Sequence, residues 1–160
     1  MIKKIILILF ISTLFIGNSF AAGSSDESKT KTDYDKAVSL IKSAKKYEKK
    51  GAKDKALDRY KKAQQLLIKS NEDKPLQVDT LNYLGFTTRK LGDFENGEKY
   101  YLLGLEIDPT HVGINEYLGE LYVATQRIDL ANKRLDVLKN CNCEEYQELK
   151  EIIDGTKTTK

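Results

Sequence analysis

The residues of this 160-residue chain that could do chemistry are few, and the most specific of them are Cys141 and Cys143, with one residue between them. Two thiols so placed could close a small-loop disulfide, act as a redox-active pair, or bind a soft metal ion. Two thiolates are too few for a structural zinc site, and there is no third cysteine and only one histidine. We favour a structural disulfide, with a thiol–disulfide or metal-handling role as the alternative.

The single histidine, His111, is the other candidate for chemistry, because a Ser–His or Cys–His pair would have to use it. It directly follows the Asp108-Pro109-Thr110 turn, so we expect a role at a helix start or on the surface. The pattern Gly-x-Gly-x-x-Gly does not occur, which removes the usual phosphate-binding loop. The sequence therefore predicts no catalytic residues, no cofactor and no metal site.

The elements that must position these residues are written as a repeat between Asp79 and Leu138. Leu84-Gly85 recurs as Leu118-Gly119, 34 residues later. A 34-residue period with small residues at fixed offsets resembles the tetratricopeptide (TPR) repeat, and the resemblance extends more weakly back to about Val38. The residues that carry it in the second repeat are Leu81, Leu84, Gly85, Leu91, Gly92, Asp93, Phe94, Tyr101 and Pro109.

The resemblance implies an all-α fold, a right-handed α-solenoid of about three TPR-like helix–turn–helix repeats plus a C-terminal capping helix. We expect repeats at about 37–70, 78–111 and 112–141 and a capping helix at 143–154, within a domain spanning 34–155 and followed by a frayed tail, 156–160. Ala44 and Gly85 are 41 residues apart, seven more than the period. We assign the surplus to a longer second helix and a longer exit loop that includes Ser70 to Asp73. Asn142 and Glu145 have the spacing of a capping box for the last helix.

Small residues recur inside the helical segments, at Gly85, Gly97, Gly104 and Gly119. Glycine in a helix interior costs about 1 kcal/mol relative to alanine, yet the apolar spacing around these positions is intact. We therefore expect helices that pack at close range there.

The N-terminus has the pattern of an export signal. Lys3 and Lys4 precede an apolar run from Ile5 to Gly17, and small residues precede a cut near Ala21/Ala22. We expect a signal peptide at 1–21, a disordered linker at 22–33, and a periplasmic or secreted protein without stable membrane insertion after cleavage. Removal of two lysines lowers the formal net charge from +3 to +1, which offers no electrostatic surface for nucleic acid.

TPR proteins bind partners in a concave groove lined by the first helix of each repeat, and the resemblance assigns that surface here. The implied positions are Val38, Ile41, Lys45, Glu48 and Lys49 in the first repeat, Asp79, Asn82, Phe86, Arg89 and Lys90 in the second, and Gly113, Glu116, Glu120, Val123 and Ala124 in the third. We expect partner contact through six of them, with Phe86 exposed; the alternative is an ordinary solvated face. The six are Asn82, Phe86, Arg89, Lys90, Glu116 and Glu120.

The sequence thus predicts a non-catalytic scaffold that binds a protein or peptide, with self-association through the edges of the superhelix as a further possibility. A ligand with both basic and apolar character fits the implied groove, since the third repeat supplies Glu116 and Glu120 in place of the Lys, Asn and Arg that some TPR domains use to hold a C-terminal carboxylate.

Overall fold

The computed structural model of the chain describes residues 31–159, so the predicted signal peptide, 1–21, and residues 22–30 of the predicted linker, 22–33, lie outside the described residues. The last residue of the predicted linker, Asp33, is already helical. Within the described range the chain forms helices and turns without a strand. The prediction of an all-α helical-repeat fold is confirmed. The helices are α1 (Asp33–Lys49), α2 (Lys53–Asp73), α3 (Val78–Lys90), α4 (Phe94–Ile107), α5 (Val112–Ala124), α6 (Ile128–Leu138) and α7 (Glu144–Ile153).

The first six helices form three pairs, α1 with α2, α3 with α4 and α5 with α6, and α7 packs on α5 and α6. Three-residue turns join the two helices of each pair. Equivalent residues of these turns have a left-handed backbone, with φ of 72° at Gly51, 94° at Gly92 and 60° at Gln126. Glycine adopts this conformation without steric cost, whereas Gln126 does not.

Close packing of the helices explains the glycines inside them. A Cβ atom on Gly85 would lie 2.5 Å from Cε1 of the buried Tyr101, and a Cβ atom on Gly119 would lie 2.5 Å from Cδ2 of the buried Leu149. Gly104 has a similar contact with Ile114. The predicted close approach is thus present both within the second pair and between α5 and the last helix.

The seven surplus residues of the first repeat all lie in α2. This helix has 21 residues and α4 has 14, while the loops that follow them, 74–77 and 108–111, are equally long. The predicted longer exit loop is therefore wrong, and Ser70 to Asp73 are helical. The helix continues because nothing in that stretch breaks it. It ends at Asp73, and the helical conformation of the C-cap Lys74 is disfavoured by Pro75.

The last helix begins differently from the prediction. Its N-cap is Cys143, without a side-chain hydrogen bond to the helix, and the preceding Asn142 has φ of 50°. In this left-handed conformation Asn142 cannot be the N-cap of a capping box, whose backbone is extended. The tail is also less frayed than expected, since Lys157 Nζ lies 2.8 Å from Glu148 Oε1. None of the helices in residues 31–159 is both long and apolar enough to cross a membrane.

Candidate functional site: the inner face

The six residues predicted to contact a partner lie on α3 and α5, but five of them are buried. The exposed fractions are 7% for Asn82, 0% for Phe86, 5% for Arg89, 2% for Glu116 and 0% for Glu120. Only Lys90 keeps a partly exposed side chain. The expectation of an exposed Phe86 is therefore wrong, and so is the alternative of an ordinary solvated face. Partner contact through this set of residues stays a prediction.

Side chains of α1 and α5 meet over α3 and cover Phe86. We call the face of these three helices that carries Lys45, Phe86 and Tyr117 the inner face. Lys45 Nζ lies 4.6 Å from the centroid of the Phe86 ring and donates a hydrogen bond of 3.1 Å to the Tyr117 hydroxyl. The Phe86 ring centroid is 4.9 Å from that of Tyr117 and 5.6 Å from that of Tyr60. Phe86 is thus enclosed by two rings and an ammonium group.

Ion pairs fill the space beside these rings. Arg89 Nη2 lies 3.2 Å from Glu120 Oε2, and both side chains are almost fully buried. Lys90 Nζ lies 2.6 Å from one carboxylate oxygen of Glu48, and the Tyr60 hydroxyl donates to the other at 2.7 Å. Burial and this hydrogen bond raise the pKa of Tyr60. The formal charges of these side chains on α1, α3 and α5 sum to zero. The three cations are Lys45, Arg89 and Lys90, and the three anions are Glu48, Glu116 and Glu120.

The part of the inner face that remains accessible is rich in tyrosine. Tyr34, Tyr83 and Tyr117 lie on α1, α3 and α5 respectively and are partly exposed; we call them the tyrosine row. The ring centroids of Tyr34 and Tyr83 are 6.0 Å apart. Burial, followed by the nearby carboxylate of Asp79, raises the pKa of Tyr34 to about 12. The sequence analysis missed this row, although Tyr83 and Tyr117 are separated by the 34-residue repeat period.

A cavity of about 690 Å³ opens at the end of the tyrosine row formed by Tyr34. Its walls are the first turns of α1 and α3, the last turn of α2, and His111. Three aspartates and two lysines contribute the side-chain charges of the lining: Asp33, Asp73 and Asp79 against Lys31 and Lys74.

Both ring nitrogens of His111 have structural partners. Nδ1 accepts a hydrogen bond of 3.1 Å from the backbone N–H of Ile114, which makes His111 the N-cap of α5. The neutral ring therefore carries its proton on Nε2, which lies 3.1 Å from Asp79 Oδ1 and donates to it. His111 thus stands at a helix start, as its place after the turn predicts.

Cys141 and Cys143 are joined by a disulfide in the turn between α6 and α7, and both are partly exposed. They lie at the opposite end of the repeat array from α1 and take no part in the inner face. Among residues 31–159 no cluster of three or more His, Cys, Asp or Glu side chains is arranged to hold a metal ion.

Comparison with known proteins gives structural neighbours only. No protein-family model matches the chain, and no curated protein matches it. Among similar solved structures, the first TPR of Spaghetti (RPAP3) bound to the HSP90 peptide SRMEEVD is 23% identical, with coverage of 78% of this chain and 96% of that chain and a TM-score of 0.48. The NMR structure of the first TPR domain of human RPAP3 is 22% identical, with coverage of 76% and 92% and a TM-score of 0.49.

Proposed function

We propose that the protein is a non-catalytic scaffold of the cell envelope that binds a segment of a partner protein along its inner face. The observation that carries this proposal is the tyrosine row, in which Tyr34, Tyr83 and Tyr117 are partly exposed on three successive first helices. Tyrosine offers a large amphipathic contact area with few rotatable bonds, and it is enriched at binding hot spots.

Rigidity beneath the row favours binding. The buried Arg89–Glu120 pair and the Phe86 ring hold the helices below the tyrosines in place. A partner that meets a preorganised surface loses less free energy to ordering. The buried residues of the predicted groove would then support the binding face instead of forming it.

The shape and charge next to the row suit a peptide with apolar and basic side chains. Apolar groups would rest on the rings, and the cavity beyond Tyr34 has the volume of an ordinary ligand pocket, about 300–1,000 Å³. Its lining carries three aspartates against two lysines, and this excess of one negative charge favours a basic residue at that end of the segment. No catalytic step is part of the proposal, because His111 uses both ring nitrogens to hold α5 and Asp79.

Tyrosine variants test the binding face. Tyr83→Ala and Tyr117→Ala should each weaken partner binding by about 1 kcal/mol or more, roughly fivefold in Kd. Tyr100→Ala is the matched control, since Tyr100 is also a partly buried tyrosine but lies on α4, a second helix of a pair. Equal affinities for all three variants and the wild type would contradict the proposal.

A photocrosslinking residue identifies the partner at the same time. Placed at the exposed Lys42 on α1, one turn from Lys45, it should form partner adducts that the exposed Leu102 position on α4 does not. Adducts from Leu102 alone would move the binding face to the outer helices.

The cell-envelope part of the proposal depends on the signal pattern at 1–21. Mass spectrometry of the protein purified from an envelope fraction should show a chain that begins near Ala22. An intact Met1 in the cytoplasm would overturn this part and leave the binding proposal standing.

A further inference from the structure

The two sulfur atoms of the Cys141–Cys143 bridge lie in unequal surroundings. Cys143 is the N-cap of the ten-residue helix α7, and its side chain accepts no hydrogen bond from the first turn. Cys141 precedes the helix by three residues, and its backbone N–H donates to Leu138 O at 3.0 Å, at the end of α6. Of the two cysteines, only Cys143 therefore lies at a helix N-terminus, where the backbone N–H groups of the first turn lack intrahelical partners.

This difference matters when the bridge is opened. A disulfide sulfur is a weak acceptor, whereas a thiolate at a helix N-terminus is stabilised by the first-turn N–H groups and the helix dipole. In thiol–disulfide exchange, the sulfur that forms the more stable thiolate is the better leaving group. The better leaving group of this bridge is Cys143.

We propose that the bridge is a directional thiol-exchange site, at which a partner's thiolate attacks Sγ of Cys141 and Cys143 leaves as the thiolate. The first step forms a bond between the partner's sulfur and Cys141 and breaks the Cys141–Cys143 bond. A second thiol of the same partner then attacks its own bonded sulfur and releases Cys141 as a thiolate. Two electrons pass from the partner's dithiol to the bridge, one disulfide replaces another, and the two dithiol protons are released or taken up by the new thiolates.

The charges around the bridge define the kind of dithiol that fits. Glu144 and Glu145 form the first turn of α7, next to Cys143. These carboxylates repel an anionic thiol and attract one with basic neighbours. They also oppose the leaving thiolate through space, but solvent screens both, since Glu144 is exposed and Glu145 partly exposed, whereas a thiolate at the N-cap can accept hydrogen bonds from the first-turn N–H groups.

Exchange does not require the last helix to leave its place. Leu149 is fully buried against Gly119, and Ile152 is 3% exposed, so α7 is held by packing independently of the bridge. The proposal is also independent of the tyrosine row, which lies on other helices.

The attacked sulfur can be mapped directly. The oxidised, folded full-length protein is treated with 2-mercaptoethanol, quenched with acid, alkylated with N-ethylmaleimide and digested for mass spectrometry. The mercaptoethanol adduct should lie on Cys141 in roughly two- to fivefold excess over Cys143. A peptide with the sequence Asn140–Glu145, which lacks the helix, is the control and should show no such excess. Equal adducts in the folded protein, an excess on Cys143, or two free thiols before treatment would overturn the proposal.

The charge preference needs a second pair of probes. Two cysteine peptides that differ only in Lys or Glu beside the cysteine should open the bridge at different rates per thiolate, with the Lys peptide faster. The doubly neutralised variant E144Q/E145Q should reduce this rate difference while the preference for Cys141 remains. A rate ratio that E144Q/E145Q does not change would overturn the assignment of basic dithiols as partners.

Discussion

The Arg89–Glu120 pair shows how much one residue can matter in the interior of the inner face. Both side chains are almost fully buried, at 3% and 0% exposed, with a 3.2 Å contact between them. Removal of one partner of a buried pair leaves an uncompensated charge, whereas replacement of both by apolar groups is often neutral.

We therefore expect Arg89→Ala to lower the free energy of unfolding by about 3–5 kcal/mol. The double variant R89M/E120L should lose less than the single variant, because no charge is left in the interior. Urea denaturation followed by circular dichroism measures both. A single variant as stable as the wild type would show that water reaches Glu120.

Gln126 is a residue whose backbone conformation costs stability. Its φ of 60° is equivalent to the glycine conformations at Gly51 and Gly92 in the earlier turns. Gln126→Gly should therefore stabilise the protein, since the penalty of about 1–2 kcal/mol for a left-handed side-chain-bearing residue is only partly offset by glycine's larger unfolded-state entropy. Thermal unfolding should show a raised midpoint. The reverse change, Gly92→Gln, should lower it.

At the scale of helices, the fit between neighbours depends on single carbon atoms. A Cβ atom on Gly85 would meet the buried Tyr101 ring at 2.5 Å, while one on Gly97 would meet Gly85 O at 3.2 Å and Arg89 Cβ at 3.3 Å. The first contact requires the buried Tyr101 ring to move, and the second requires the backbone of α3 to shift by a few tenths of an ångström.

Gly85→Ala should thus destabilise the protein by about 1–3 kcal/mol, the usual cost of overpacking. Gly97→Ala should be near neutral, since alanine's helix propensity offsets a mild contact. Chemical denaturation of the two variants under the same conditions compares them. Equal losses would contradict this ranking of the two contacts.

Carboxylates at two helix N-termini should make the free energy of unfolding depend on pH in the acid range. Hydrogen bonds from Thr32 lower the pKa of Asp35 in the capping box of α1, and hydrogen bonds from Asn96 lower the pKa of Asp93 at the start of α4. A folded-state pKa below the unfolded value, about 3.9, gives stability that is present above that value and lost as pH falls through the folded pKa.

The thermal unfolding midpoint of the wild type should therefore decrease as the pH is lowered below about 4. Asp93→Asn keeps an acceptor for the Asn96 N–H but cannot be protonated, so its midpoint should fall less over the same pH range. An identical fall would exclude Asp93 as a contributor.

The helices themselves were largely predictable, and the reason is that their signals are local. The 34-residue period placed the helix pairs, and the small residues marked the contacts between them. The C-terminus of α2 was not predictable in this way, because Ser70 to Asp73 are residues of loops as well as of last helical turns. Pro75 was the breaker that set the end of the helix, not the polar residues before it.

At the scale of the whole molecule, the sequence identified the inner face but not its packing. The repeat register predicts Phe86 and Glu120 on the surface of a groove, whereas both side chains are fully buried. Phe86 is covered by Lys45, Tyr60 and Tyr117, which come from three other helices and are far apart in sequence. A repeat pattern does not predict which residues far apart in sequence come into contact. The residues that were expected to contact a partner therefore contact other residues of the same chain.

The Lys45–Tyr117 hydrogen bond joins residues 72 positions apart, whereas the backbone contacts between helices in residues 31–159 link each repeat to its neighbour. Arrays with contacts between neighbours alone unfold as a sum of nearly independent units. A direct link from the first repeat to the third couples the unfolding of these two repeats, so the array should unfold as one cooperative unit. Lys45→Met should then broaden the denaturation transition, with a lower m-value, and Lys42→Met should not. In such an array a terminal repeat cannot fray on its own, and a protease would encounter either the complete solenoid or the unfolded chain.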